Sequence, residues 1–303
     1  MNLQKTIKDS IEFKGVGLHS GAEVNLRLKP ADANFGIKFK RTDIDSDRNI
    51  IDANYQNVIS PILCTKIQNS HGVSVSTIEH LMAVFYGEGI DNVMVEIDGP
   101  EVPIMDGSSF DFVTAIKSYG TEQQNSEKKI IEALKKVEVI EGEKYISIEP
   151  LQQDLIIDFE IVYKNPLIRT RRKKFQFSNG DLTSIYNSKT FCLYEDIDKI
   201  RSQGLAQGGS LDNAIVVKEN KILNEDGLRY RDEFVNHKIL DCLGDLMLSG
   251  HQFFALIKTS QGGHQLTNTI LKKFLSDKSN WKFNGKAQED KNNSYHDAIA
   301  VNA

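Results

Sequence analysis

The two halves of this chain run through the same order of elements, which leaves few folds open to it. In the first half a helical segment carrying His80 runs to Gly87, followed by the strand-like Asn92-Val-Met-Val-Glu-Ile97. The loop Met105-Asp-Gly-Ser108 and a helical segment from Phe110 to Tyr119 come next. In the second half a helical segment carrying His237 passes Gly244, followed by Gln252-Phe-Phe-Ala-Leu-Ile257. Gly262-Gly-His264 and a helical segment from Leu266 to Leu275 then complete the repeat. Apolar and polar residues alternate at Val24 to Leu28, Tyr145 to Ile148 and Leu155 to Val162, so strands dominate the earlier part of each half. Two α+β domains of like topology, related by duplication, fit this order better than one parallel βαβ sheet. The 303 residues are enough for two such domains, each with a core. Gly120 to Lys129, polar throughout and without periodicity, reads as the linker between them.

Residues 234–246, Phe-Val-Asn-His-Lys-Ile-Leu-Asp-Cys-Leu-Gly-Asp-Leu, have the apolar spacing of an amphipathic helix. At about 100° per residue Val235, Ile239, Cys242, Leu243 and Leu246 share one side. His237, Asp241 and Asp245 line the other, successive members offset by roughly 40°. Helical geometry alone makes that row a solvated face. Phe234 and Leu248 project into the same sector, however, and only Lys238 stands where Glu and Lys usually crowd. A His and an Asp four residues apart can also bind one metal ion from a single helix.

In Val75-Ser-Thr-Ile-Glu-His-Leu-Met82 the simplest reading is a capping box, with Glu79 reaching back to a backbone N–H near Ser76. The alternative makes His80 a metal ligand, kept neutral by the positive end of the helix dipole, and Glu79 a base beside it. Together His80, His237 and Asp241 form a two-histidine, one-carboxylate set with an open fourth position, the usual composition of a catalytic zinc site. The same set suits iron(II). His264, in Gln261-Gly-Gly-His264, is free to protonate a leaving group. His71, His251 and His296 have no such company and read as surface or packing residues.

A formal net charge of -5 argues against nucleic acid or an anionic membrane as partner. The basic cluster Arg169, Arg171, Arg172, Lys173 and Lys174 reads as solvated surface. Cys64, Cys192 and Cys242 include no Cys-x-x-Cys pair, so neither a disulfide framework nor a thiolate zinc site is suggested. The first ten residues lack the apolar core of a signal peptide, and no window approaches a membrane span. The expected location is the cytoplasm, without membrane insertion.

The sequence closely resembles the UDP-3-O-acyl-N-acetylglucosamine deacetylases, the zinc amidases of lipid A biosynthesis, over nearly its whole length. The resemblance is carried by Gly15-Val-Gly-Leu-His-Ser-Gly21, Leu63-Cys-Thr65, Ser76-Thr-Ile-Glu-His-Leu81, Ile90-Asp-Asn92 and Pro103-Ile-Met-Asp-Gly-Ser108. It continues in Lys189-Thr-Phe191, Gly208-Gly-Ser210, Asn224-Glu-Asp-Gly-Leu228, Asp232-Glu-Phe-Val235, and His237-Lys-x-x-Asp241 with Gly244-Asp245. It implies two β-α-α-β sandwich domains, residues 1–126 and 127–303, with helices packed face to face and the site at their seam. An inserted βαβ unit is implied around residues 192–218.

By the same resemblance His80, His237 and Asp241 are the zinc ligands, Glu79 the base and His264 the general acid. Asp245 is the carboxylate near that acid, and the Thr190 hydroxyl helps hold the oxyanion. Lys238, Phe191 and His19 are implied to contact the sugar, phosphate or nucleotide parts of the substrate. Leu18, Leu63, Ile197 and Ala206, with Ser210, Ala214 and Val216, are implied to line a passage for its acyl chain. The implied reaction is hydrolysis of the acetamide of UDP-3-O-(3-hydroxyacyl)-N-acetylglucosamine to acetate and UDP-3-O-acyl-glucosamine, the committed step of lipid A biosynthesis. The implied oligomeric state is a monomer. The chain departs from the family pattern at Gln261-Gly-Gly-His264, usually Lys-Ser-Gly-His, at Lys189, usually Arg, and at Cys192, usually Gly. None of these removes a catalytic group. A non-catalytic binder of a sugar nucleotide or acyl chain, with a structural metal, is the competing expectation. The joint presence of Glu79 and His264 speaks against it, since a binder needs neither acid nor base.

Overall fold

Period-two alternation becomes strand throughout the chain, and the computed structural model describes it over residues 2–59 and 63–284. His296 lies outside these residues. The first half begins with strands β1 (Leu3–Ile7), β2 (Ile11–Val16), β3 (Glu23–Pro30), β4 (Ile37–Arg41) and β5 (Ile50–Asp52). Short strands β6 (Ile67–Gln68) and β7 (Ser74–Val75) lead into helix α1 (Glu79–Glu88). Strand β8 (Val93–Ile97), helix α2 (Phe110–Tyr119) and strand β9 (Thr121–Glu127) follow. The second half opens with β10 (Ile130–Ala133), β11 (Val137–Glu141), β12 (Lys144–Pro150), β13 (Leu155–Ile161) and β14 (Arg171–Gln176). Helix α3 (Leu182–Tyr186), strand β15 (Phe191–Leu193), helix α4 (Tyr194–Ser202) and strands β16 (Ile215–Lys218) and β17 (Lys221–Ile222) come next. Helix α5 (Glu233–Met247), strand β18 (Gln252–Ser260), helix α6 (His264–Ser276) and strand β19 (Trp281–Asn284) close it.

In β3 the side chains of Val24, Leu26 and Leu28 are buried and those between them face solvent. Strand β13 buries Leu155, Ile157, Phe159 and Ile161 in the same way. Each such side chain contributes roughly 1.5–3 kcal/mol of apolar burial, which pins the register because a slip of one residue would turn the whole set outward. The first sheet runs β2-β3-β8-β4-β5, and β11, β12, β18, β13 and β14 neighbour one another in the corresponding order. The senses correspond as well. Strand β8 is antiparallel to β3 and parallel to β4, as β18 is antiparallel to β12 and parallel to β13.

The polar run expected to be a linker is a strand. Thr121–Glu127 form β9, antiparallel to β1, much as β19 lies antiparallel to β10 at the end of the second half. Most of its side chains face solvent, so backbone pairing holds it and no apolar alternation is required. Lys128 at its end is buried, 3.2 Å from Asp91 and donating to the Gly89 carbonyl. The basic cluster falls largely on β14, which among the described residues pairs only with β13; Arg172 meets Asp158 at 2.7 Å and Lys173 donates to Asn236.

Helices α1 and α5 are buried almost all round, α1 from Glu79 to Tyr86 and α5 everywhere except Lys238. A helix buried on every side lies between other layers. Here α5 packs on α1, α3 and α6 and against β13 and β14. The two long-buried helices meet backbone to backbone at Gly244, where a Cβ would lie 2.0 Å from the carbonyl oxygen of Glu79. Gly244→Ala is therefore expected to pry α1 from α5 and destabilise the chain by about 1–3 kcal/mol, as overpacking does. An unchanged urea midpoint would contradict so close an approach.

Candidate metal centre and active site

The contact of α1 with α5 sets the His/Asp row of α5 against the first turn of α1. Oδ1 of Asp241 stands 3.5 Å from Nε2 of His237 and 3.6 Å from Nε2 of His80. The two imidazoles are edge to face, centroids 4.9 Å apart. Ligand atoms of the three residues all lie within 4.8 Å of one another. That Asp241 oxygen is buried and has no hydrogen-bond partner among the described residues. A buried, unpaired carboxylate oxygen is costly, and a cation shared with two neutral imidazoles removes the cost. These residues fit a metal ion.

Two of these three residues have neighbours that would prepare them for a metal. Nδ1 of His237 donates to the Ser188 carbonyl at 3.0 Å, which leaves the Nε2 lone pair for a metal. Burial keeps this ring neutral, its pKa lowered to about 3 despite Asp241. Burial would also favour a neutral Asp241, but the Lys238 ammonium at 2.6 Å holds its carboxyl well below the usual range.

His264 is the first residue of α6, which begins two residues before the Leu266 expected from the sequence. Its Nδ1 donates to Oδ2 of Asp245 at 2.8 Å, and its Nε2 lies 3.7 Å from Oε1 of Glu79. Burial opposes a charged ring, yet Asp245 and Glu79 outweigh it and push the pKa up to about 9. Burial raises the Glu79 carboxyl, with His264 and His80 pulling the other way.

No capping box forms at Ser76. Thr77 takes a φ of 57°, a left-handed conformation that a β-branched residue rarely adopts, and its hydroxyl donates to Glu101. The turn makes Ile78 the cap residue of α1 and sends the Ser76 hydroxyl to the Pro100 carbonyl. Glu79 is thereby released from any capping task and accepts instead from the N–H of Thr65 at 3.0 Å.

A cavity of about 520 Å³ opens on Glu79, His80, His237, Asp241 and His264, with Thr190, Phe191 and Lys238 in its wall. Lys238 is engaged with Asp241 there. A second cavity of about 410 Å³ shares Leu18, Leu63, Thr190 and Phe191 with the first. Ile197, Ala206, Ser210, Ala214 and Val216 line it too, so all seven positions expected along a passage border one space. The parallel pair β15 and β16, crossed over by α4, builds part of its wall. His19 also borders it, with Nδ1 accepting from the Ala206 N–H and Nε2 buried without a partner among the described residues. His71 is exposed, and His251 packs against the ring of Phe283.

Three residues beside the site make contacts that residue type and spacing alone do not announce, although Thr65 and Glu233 fall within motifs that carry the family resemblance. Buried Glu101 accepts from the N–H groups of His19 and Ser20 and so shapes the loop carrying Leu18. Buried Glu233 accepts from the N–H groups of Lys189 and Arg229, fixing the chain next to Thr190. Thr65, fully buried, bonds to Glu79 and Asp245 together. A carboxylate whose partners are backbone N–H groups has the same local pattern as one in water, so nothing short of the fold distinguishes them.

No helix among the described residues is long and apolar enough to cross a membrane. The sequence model of the family described as UDP-3-O-acyl N-acetylglycosamine deacetylase matches residues 4–276. Among curated proteins, the UDP-3-O-acyl-N-acetylglucosamine deacetylase of Pasteurella multocida is 44% identical over 283 residues, covering 92% of this chain and 92% of its own length. That of Aliivibrio fischeri is 42% identical over the same shares. That of Vibrio campbellii is 41% identical over 290 residues, 95% of this chain and 94% of its own.

Proposed function

This chain belongs to the UDP-3-O-acyl N-acetylglycosamine deacetylase family, and on that premise we propose what each group of its site does. It is a hydrolase, the deacetylase of lipid A biosynthesis, acting on a nucleotide-sugar lipid precursor. The bond broken is the acetamide C–N bond of UDP-3-O-(3-hydroxyacyl)-N-acetylglucosamine. Water adds across it, giving acetate and the free sugar amine.

His80, His237 and Asp241 hold the metal, and the observation that carries this reading is the buried, unpartnered Oδ1 of Asp241 between two Nε2 atoms. Zinc, the ion proposed for this donor set, supplies Lewis acidity that lowers the pKa of a water to about 7 and polarises an amide carbonyl. Glu79 takes the proton of the attacking water, and its raised carboxyl pKa suits a base that must work near neutrality. The Thr190 hydroxyl donates to the carbonyl oxygen as negative charge collects there. His264, cationic at neutral pH beside Asp245, passes its Nε2 proton to the departing nitrogen.

Phe191 and His19 receive the sugar, phosphate or nucleotide parts of the substrate, with Lys238 beside Asp241. The second cavity, between Leu18 and Val216, receives the acyl chain; its wall is supported as a passage by its continuity with the first cavity at Thr190 and Phe191. Residues 1–126 and 127–303 are read as two units of one ancestral design, supported by their common strand order. Both halves of one copy contribute to the site, which supports a monomer.

Acetate release from the nucleotide sugar is expected to stop with a chelator and return with added zinc, and metal analysis of the isolated protein decides between zinc and iron(II). Added metal should also raise the thermal midpoint of the stripped protein, by about 4 kcal/mol of stability at a thousandfold excess over Kd. Purified, metal-loaded protein that binds the nucleotide sugar yet never releases acetate would instead make this chain the binder with a structural metal.

A further inference from the structure

One residue of the segment before β6 holds both groups assigned to proton transfer. Thr65 is 1% exposed and lies outside every strand and helix. Its N–H donates to Oε2 of Glu79 at 3.0 Å, and its carbonyl accepts from the N–H of Ile78 just before α1. Its hydroxyl donates to Oδ1 of Asp245 at 2.6 Å and stands 3.0 Å from Nδ1 of His264. Asp245 accepts from that same Nδ1 through its other oxygen at 2.8 Å. A hydroxyl has one hydrogen, so with this one given to Asp245 its lone pairs face the His264 N–H. Three elements that the sequence keeps far apart, α1, α5 and α6, thus meet on one side chain and its amide.

We propose that Thr65 is a positioning residue for the deacetylation, orienting Glu79 through its N–H and the Asp245–His264 pair through its hydroxyl so that base and acid face the same bond. The proposal rests on the roles assigned above to Glu79 and His264. Its physical basis is that base and acid must both reach one reacting bond, and a displacement of an ångström in either is enough to slow such a reaction by up to a hundredfold or so. Removing the hydroxyl frees Asp245 and His264 to turn, while the backbone clamp on Glu79 stays.

The test compares Thr65→Val, Thr65→Ser and Thr65→Ala as metal-loaded enzymes in the acetate-release assay. Thr65→Val keeps the shape and loses the hydroxyl; its kcat is expected to fall about tenfold or more, with KM and bound metal changed by no more than about twofold. Thr65→Ser keeps the hydroxyl and loses a methyl; its kcat is expected within about threefold of the parent. A side chain that only filled space would rank the other way, Val tolerated and Ser impaired. Should Thr65→Val fail to fold, the Ser and Ala variants still differ only by the oxygen, and Ala alone must lose turnover. Parental kcat in Thr65→Val, equal losses in Ser and Ala, or a loss expressed in KM and metal content overturns the proposal. Glu79→Gln assayed alongside separates the failures. If it loses turnover while Thr65→Val does not, positioning by Thr65 is wrong and the assigned roles stand. If Glu79→Gln turns over normally, those roles are wrong and the proposal falls with them.

Discussion

Glu79→Gln is expected to lower acetate release by about 10²–10⁴-fold, the span typical of a lost general base. Fold, bound metal and KM should stay close to those of the parent. Glutamine has the same shape, and its amide oxygen can accept the Thr65 N–H that Glu79 now accepts. The amide cannot take a proton from water near neutral pH. Glu79 is 3% exposed, and burial already raises its carboxyl, so removing the charge relieves desolvation and should not reduce stability. Steady-state rates with thermal melts of the same preparations check both halves of this expectation. Turnover within threefold or so of the parent would take Glu79 out of the proton transfer.

Asp241→Ala should abolish activity and metal retention together, and it should also weaken the metal-free protein. The second effect follows from Lys238, whose side chain is 19% exposed and whose ammonium meets Oδ2 of Asp241 at 2.6 Å. Removing the carboxylate leaves that cation largely buried without its partner. Breaking a buried pair in this way costs about 3–5 kcal/mol, and the partial exposure of Lys238 sets the expectation near 3. Urea unfolding of both proteins stripped of metal isolates this term from the lost ion. Asp241→Asn, which keeps the volume and one acceptor for Lys238, should lose the metal and recover part of the stability. A stripped Asp241→Ala as stable as the stripped parent would mean that Lys238 swings into water once freed.

The regular elements with one buried face were legible in advance. Phe110–Tyr119 is helical over the span expected, β13 begins at Leu155 where its alternation begins, β18 begins at Gln252 as expected, and β8 begins one residue after Asn92. In each the burial of one face writes a period into the sequence. Strand β9 wrote none, because both of its faces are polar and its backbone supplies the pairing. The Ser76-x-x-Glu79 spacing misled for a different reason: it describes a cap only if the residues between are helical or extended, and Thr77 is left-handed.

At the site, residue type, spacing and resemblance grouped His80, His237 and Asp241 as one candidate set, and the structure places their ligand atoms within 4.8 Å of one another. What residue type and spacing could not convey was partnership across the chain. Thr65 and Asp245 are separated by 180 positions, and Thr65 and His264 by 199. The tie of Lys238 to Asp241 was open to the sequence, three residues apart on one helix face, but whether Lys238 points at Asp241 or into the cavity depends on what surrounds it.

By itself, then, the sequence determined which groups this protein can bring to its chemistry and which faces of its elements must be buried, because both are properties of residue type and local period. Only the tertiary structure decided which oxygen of Asp241 is left without a partner, that His264 lies between Asp245 and Glu79, and that one threonine lies against Glu79, Asp245 and His264. Those outcomes depend on distances of about 3 Å between residues far apart in the chain, where hydrogen bonds and charge effects are strongest and no local pattern reaches.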